Sequence, residues 1–257
     1  MTTKDDAIAK VGETGVQTLP PRPAHIAKGG RAGMESMGQD DISIPRIALA
    51  QQQSPEVLEG TPKYIEGLKP GYLFNSVTGK VYGKEVFVQL VRKNELRAMQ
   101  FKDIKQGGGV LRPNVPLNDP TLLWGENGEK PESTLFRDYI VILLQEADEK
   151  IGQPKDRDMM ALSFKASGIK VAKMLNGLTV KRNADLFAGR YKVSSRLELK
   201  PQAHYVFTVE NAGWVDEADF ANGQEIYEAV KDIPVTVEYA SETAVGAPPP
   251  DKDPIPF

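Results

Sequence analysis

Strict alternation runs through residues 190–200. Arg190, Lys192, Ser194, Arg196, Glu198 and Lys200 fall on one face of an extended strand, and Tyr191, Val193, Ser195, Leu197 and Leu199 on the other. One face is basic and the other largely apolar, which suits a strand lying between a core and a surface that holds phosphates. An ordinary solvated strand face would show the same pattern, so repetition elsewhere matters. Lys80 and Lys84, then Arg92, Lys93, Arg97 and Lys102, gather on an earlier hairpin. Lys165, Lys170 and Lys173 gather at the start of a helix. Aromatic residues interleave with these cations. Tyr82 stands between Lys80 and Lys84, Phe101 beside Lys102, and Phe87 opposite the Val86, Val88, Leu90 face. Trp124, in a long insertion, either clamps a ligand or anchors its loop. Binding of a nucleic-acid strand without sequence preference requires such a mixture: cations for phosphates and aromatic faces on which bases stack, each worth about 1–3 kcal/mol.

Other chemistry finds little support. There is no cysteine, so neither a disulfide framework nor a thiolate metal site exists. The two histidines, His25 and His204, lie far apart in sequence, and no His-Glu-x-x-His arrangement occurs. Asp156-Arg157-Asp158 contains a carboxylate pair of the kind nucleases place around a metal, but a polar turn before a strand accounts for it better. Lys105-Gln106-Gly107-Gly108-Gly109 lacks the Gly-Lys-Ser/Thr ending of a phosphate-binding loop and suits a hairpin tip. No catalytic residue, metal or cofactor is expected.

The net charge of −3 would by itself argue against nucleic acid, but its distribution argues for it. Residues 1–71 carry a net of −1, residues 72–214 a net of +6, and residues 215–257 a net of −8. A basic middle with an acidic end is the charge asymmetry of a nucleic-acid-binding domain with an acidic tail. No run of about 18 apolar residues predicts a membrane span, and the first residues lack the basic-then-apolar order of a secretory signal. A cytoplasmic protein is expected.

Elements must position these residues. Residues 1–41 are rich in proline and glycine without an apolar period, and are expected to be disordered. Residues 42–240 are expected to form one domain, with residues 103–134 as a long irregular insertion. Strands are expected at 72–74, 84–93, 96–102, 139–145, 159–164, 190–200 and 203–210, and a last short one at 234–239. The segment 139–145 is apolar without alternation, as in a strand buried on both faces. Ser167 is placed to cap a helix from Ile169 to Asn176, with Asn176-Gly177 ending it. A second, acidic helix is expected at 216–230. The fold class is mainly β with a few helices, and the order of elements suits a five-stranded Greek-key barrel of the OB type with insertions. A small β-sandwich is the alternative.

Residues 241–257 read as a flexible tail. Pro248, Pro249, Pro250, Pro254 and Pro256 remove backbone donors and fix φ, so the segment favours an extended peptide. It ends in Asp251, Lys252, Asp253, Pro254, Ile255, Pro256 and Phe257, a shape suited to an apolar pocket ringed by basic groups. This tip resembles that of bacterial single-stranded DNA-binding proteins, whose tails commonly end in Asp-Asp-Ile-Pro-Phe. Pro254 replaces an acid of that pattern, and Lys252 interrupts the acidic run. The passage from Ala161 through Ile169 and Lys173 to Leu178 looks like the strand-to-helix passage of phage OB-fold proteins. The resemblance, to phage-type single-stranded DNA-binding proteins, implies a non-enzymatic protein that coats single strands during replication or recombination. It also implies that Asp251, Asp253, Pro254, Ile255, Pro256 and Phe257 recruit replication, recombination and repair proteins. If phage-encoded, it would act in the host cytoplasm. A strand-annealing recombination protein shares these features, and a virion or scaffold protein with a docking tail is the rival from another class.

Overall fold

A computed structural model describes residues 44–103, 109–146, 156–199 and 203–232. Lys200, the tail residues Asp251–Phe257 and the expected strand at 234–239 therefore lie outside the described residues.

The chain is mainly β, as expected. Strands β1 (Ile47–Leu49), β2 (Leu73–Asn75) and β3 (Val81–Gly83) form a small antiparallel sheet. Its reversal is built by Asn75, whose side-chain oxygen accepts from the backbone N–H groups of Val77 and Thr78 at 2.9 and 3.0 Å. This is the local bonding that makes asparagine a turn residue. The main sheet contains β4 (Glu85–Phe101), β5 (Val110–Val115), β6 (Ser133–Leu143), β7 (Met159–Lys165), β8 (Gly189–Glu198) and β9 (His204–Trp214). Its order is β7-β6-β4-β8-β9, with β5 also paired to β4, and every pairing is antiparallel. The described strands thus form two sheets, and no closed barrel forms among them.

β4 runs unbroken where two strands were expected. The polar stretch around Asn94 is absorbed as register shifts against β6, between Leu90 and Arg92 and between Lys93 and Leu96. The length of β4 gives it two neighbours on one side. Residues Glu85–Gln89 pair with β8, while Ala98–Phe101 pair with β5. The insertion 103–134 therefore contributes a strand to the sheet rather than only irregular loop.

Both faces of the main sheet are covered. On the first, Val86, Val88 and Leu90 pack with Tyr139, Val141, Leu143, Tyr191, Val193 and Val209, and helix α1 (Ile169–Arg182) lies over them through Ala172 and Leu175. On the second, Val91, Ile140, Ile142 and Leu144 pack with Val230 of helix α2 (Glu217–Val230). Residues Tyr139–Leu143 of β6 are fully buried, which explains their apolar run without alternation.

α1 is longer than its sequence suggested. It passes through Gly177 and ends at Asn183, which takes a left-handed conformation (φ 49°) and bonds its N–H to the Val180 carbonyl. A 3-10 turn, Ala166–Gly168, precedes it, and the cap position falls to Gly168 rather than Ser167, with no side-chain bond. α2 begins at Asp216, whose carboxylate accepts from the Asp219 N–H at 2.7 Å. Its acidic first turn, Glu217 and Asp219, faces the positive end of the helix dipole.

Candidate nucleic-acid interface

The pairing of β4 with β8 decides which candidates share a surface. Phe87 stands opposite Lys192, Gln89 opposite Arg190, and Glu85 opposite Ser194. Directly paired residues point to the same face of a sheet. Phe87, Arg190, Lys192, Ser194 and Arg196 therefore lie on one face, opposite the buried Tyr191 and Val193. The alternation expected along this strand is present through Ser194. Beyond it Leu197 is exposed, so the apolar side ends before the strand does.

The Arg190 guanidinium lies 4.3 Å from the centre of the Phe87 ring. It makes no ion pair among the described residues, and its Nε is buried without a hydrogen-bond partner there. Arg190 is thus a cation held in place by stacking, with no counter-charge paired to it among the described residues. Lys192 pairs with Glu210 on β9 at 2.7 Å, and that hydrogen bond raises its pKa. Arg196 pairs with Glu198 at 2.9 Å. Both are exposed ion pairs, worth about 0–1 kcal/mol, which a phosphate can replace. Ser194 and Thr208 bond through their hydroxyls at 2.7 Å and add polar groups to the same face.

The remaining candidates do not join this surface. Lys80 pairs with the buried Asp156 at 2.7 Å and stands over the Tyr82 ring at 5.7 Å. Tyr82 packs against the core, and burial pushes its phenol up to about 12. Arg92 bonds the Val230 carbonyl and so secures the C-terminal end of α2, where a cation meets the helix dipole favourably. Arg97 pairs with the buried Asp138 at 2.7 Å. Phe101 packs on Phe136 with ring centres 6.0 Å apart. Lys84, Lys93, Lys102, Lys165, Lys170 and Lys173 are exposed on scattered elements. Trp124 is 66% exposed, so it does not anchor its loop by burial. Asp156 is engaged by Lys80 and by the Asp158 N–H, and Arg157 by Asp219, so the Asp156-Arg157-Asp158 run ties elements together.

One feature escaped the sequence. Arg182, at the end of α1, has its guanidinium 4.8 Å from the ring centres of both Tyr191 and Trp214. Trp214 is 60% exposed. Local pattern places Tyr191 on the apolar face and Arg182 among the cations after the helix, but it does not bring them together with Trp214, because α1, β8 and β9 must pack before the three meet.

Among the described residues no helix is long and apolar enough to cross a membrane. No curated protein and no solved structure matches the chain. The family model described as Pam3 phage gp34-like protein matches residues 13–236, which spans the whole two-sheet region, and the chain belongs to that phage protein family.

Proposed function

We propose that the protein is a non-enzymatic single-stranded DNA-binding protein that coats single strands during phage DNA replication or recombination in the host cytoplasm. The observation that carries the proposal is the shared face of Phe87, Arg190 and Lys192, with Arg190 stacked on Phe87 and free of ion pairs among the described residues. Phe87 packs against the second core cluster and supports Arg190 with its ring, so this face supplies cations for phosphate neutralisation, one of the two needs of single-strand binding. The acidic α2 lies against the same face of the sheet and bounds this surface, since an exposed carboxylate such as Glu217 repels a phosphate backbone. The segment from Asp251 to Phe257 recruits replication, recombination and repair proteins.

Fluorescence anisotropy with labelled single- and double-stranded oligonucleotides, across a salt series, tests the proposal. Single strands should bind more tightly than duplexes, with affinity falling steeply as salt rises. Replacing Arg190, Lys192 and Arg196 by alanine should weaken binding and flatten the logarithmic salt slope by roughly 0.7 for each phosphate that is no longer neutralised. Absence of single-strand binding at low salt, or equal affinity for duplex, would overturn it.

A further inference from the structure

We propose that Trp214 is a nucleobase-stacking platform, held flat by Arg182 at the edge of the main sheet. β9 is the last strand in the sheet order, and Trp214 is its final residue, paired with Gly189 of β8. An exposed tryptophan stacks at lower cost if its ring is already fixed, and here the fixing is visible behind the ring and along the chain. Behind the ring, the Arg182 guanidinium fills the space between Trp214 and the buried Tyr191. That guanidinium is itself anchored, because Arg182 Nη2 donates to the Arg190 carbonyl and to Asn211 Oδ1. The close fit depends on Gly189, where a Cβ would come within 2.6 Å of Arg182 Nη1 and 2.8 Å of the Tyr191 ring. Along the chain, the Gly213 N–H donates to Asn211 Oδ1 at 2.9 Å and the Val215 N–H to the Ala188 carbonyl at 3.2 Å, pinning the backbone on either side of Trp214.

The result is an indole 60% exposed, with a cation against the ring. Ordering such a ring before binding removes a cost that a mobile side chain would incur on stacking. The outer side of the ring remains open to a base. Gly189, its strand partner, immediately precedes Arg190 of the proposed phosphate-binding surface, and β9 is the sheet edge between the two faces. A single strand lying over Arg190 and Lys192 therefore reaches Trp214 by passing round that edge.

This inference rests on the single-stranded DNA reading, and its test separates the two. The chain has two tryptophans, so the full-length Trp124→Phe variant reports on Trp214 alone. Titration with a labelled oligothymidylate should quench Trp214 emission in parallel with the rise in anisotropy. Trp214→Ala should weaken binding by roughly 5- to 150-fold, the range expected for one lost stacked base, while Trp214→Phe keeps most of the affinity. Binding by anisotropy without quenching, or unchanged affinity in Trp214→Ala, would overturn the platform and leave the parent reading standing. An oligonucleotide that gives no anisotropy change overturns both. Should Trp214→Ala fail to fold, the quenching experiment decides alone.

Discussion

Gln89 is fully buried in the middle of β4, and its amide nitrogen donates to the carbonyls of Phe187 and Asp219 at 2.6 and 2.8 Å. It thus joins the central strand to the turn before β8 and to the first turn of α2. Gln89→Leu would keep the volume and leave two buried carbonyls without this donor. A loss of about 2 kcal/mol is expected from urea unfolding, since each stranded polar group costs about 1–3 kcal/mol and the unpaired Gln89 Oε1 is removed at the same time. Tyr139 offers a test with pH. Its hydroxyl donates to Asn176 Oδ1 at 2.9 Å, and burial pushes its phenol up to about 12. The unfolded chain, with an ordinary tyrosine pKa near 10, sheds the proton first. Stability should be level in this respect below about pH 10 and fall between about pH 10 and 12. Tyr139→Phe should cost about 1 kcal/mol at neutral pH yet show a shallower alkaline decline, read from urea midpoints between pH 8 and 12. At this scale the sequence showed charge but not partnership. Lys80, Arg92 and Arg97 looked like groove cations because Asp156, Val230 and Asp138 lie 76, 138 and 41 residues away from them. Arg190 was legible for the opposite reason, since its place follows from alternation within its own strand.

At the scale of elements, two helix glycines make opposite predictions. Gly177 was expected to end α1, because an asparagine-glycine pair commonly does so. The helix continues because Leu178 packs against the core and Asn183 supplies the left-handed cap. Gly177 is exposed, and a Cβ built on it meets nothing within 4 Å. Gly177→Ala should therefore stabilise the protein by about 0.5–1 kcal/mol, the ordinary advantage of alanine in a helix. Gly223 in α2 is buried, and a Cβ there would collide with the Gln89 amide and lie 3.0 Å from the Phe187 Cβ. Gln89 cannot move aside without breaking both of its bonds, so Gly223→Ala should destabilise by about 1–3 kcal/mol despite its better helix propensity. Thermal or urea unfolding of the two variants side by side checks both signs. The elements themselves were largely readable, since alternation in β8 and the unbroken apolar run in β6 are local signals. What stayed hidden was set by pairing: β4 became one strand because β6 absorbs its irregularities as register shifts, and β5 formed only where the end of β4 offered an edge.

Across the whole molecule, charge is divided along the chain and not spread evenly. The middle carries +6 and residues 215–257 carry −8. Part of that acidic excess is α2, which is fixed against the sheet through Gln89, Arg92 and Arg157 and so cannot leave it without loss of packing. The rest follows residue 232, and residues 241–257 lie beyond the stretch that the family model matches. Within residues 241–257, Glu242, Asp251 and Asp253 stand against Lys252 alone, a net of −2. If this segment competes with DNA for Arg190 and its neighbours, its removal should act on affinity by charge alone. The contest should be strong at low salt, where the Debye length is about 30 Å at 0.01 M, and nearly absent at 1 M, where it is about 3 Å. Deleting residues 241–257 should therefore tighten single-strand binding at low salt, with the two proteins converging as salt rises. Deleting only residues 248–257, which removes a net of −1, should give a smaller shift in the same direction. Equal affinity of all three proteins at low salt would show that the acidic segment does not contest the DNA surface, and would leave recruitment of other proteins as its remaining proposed role.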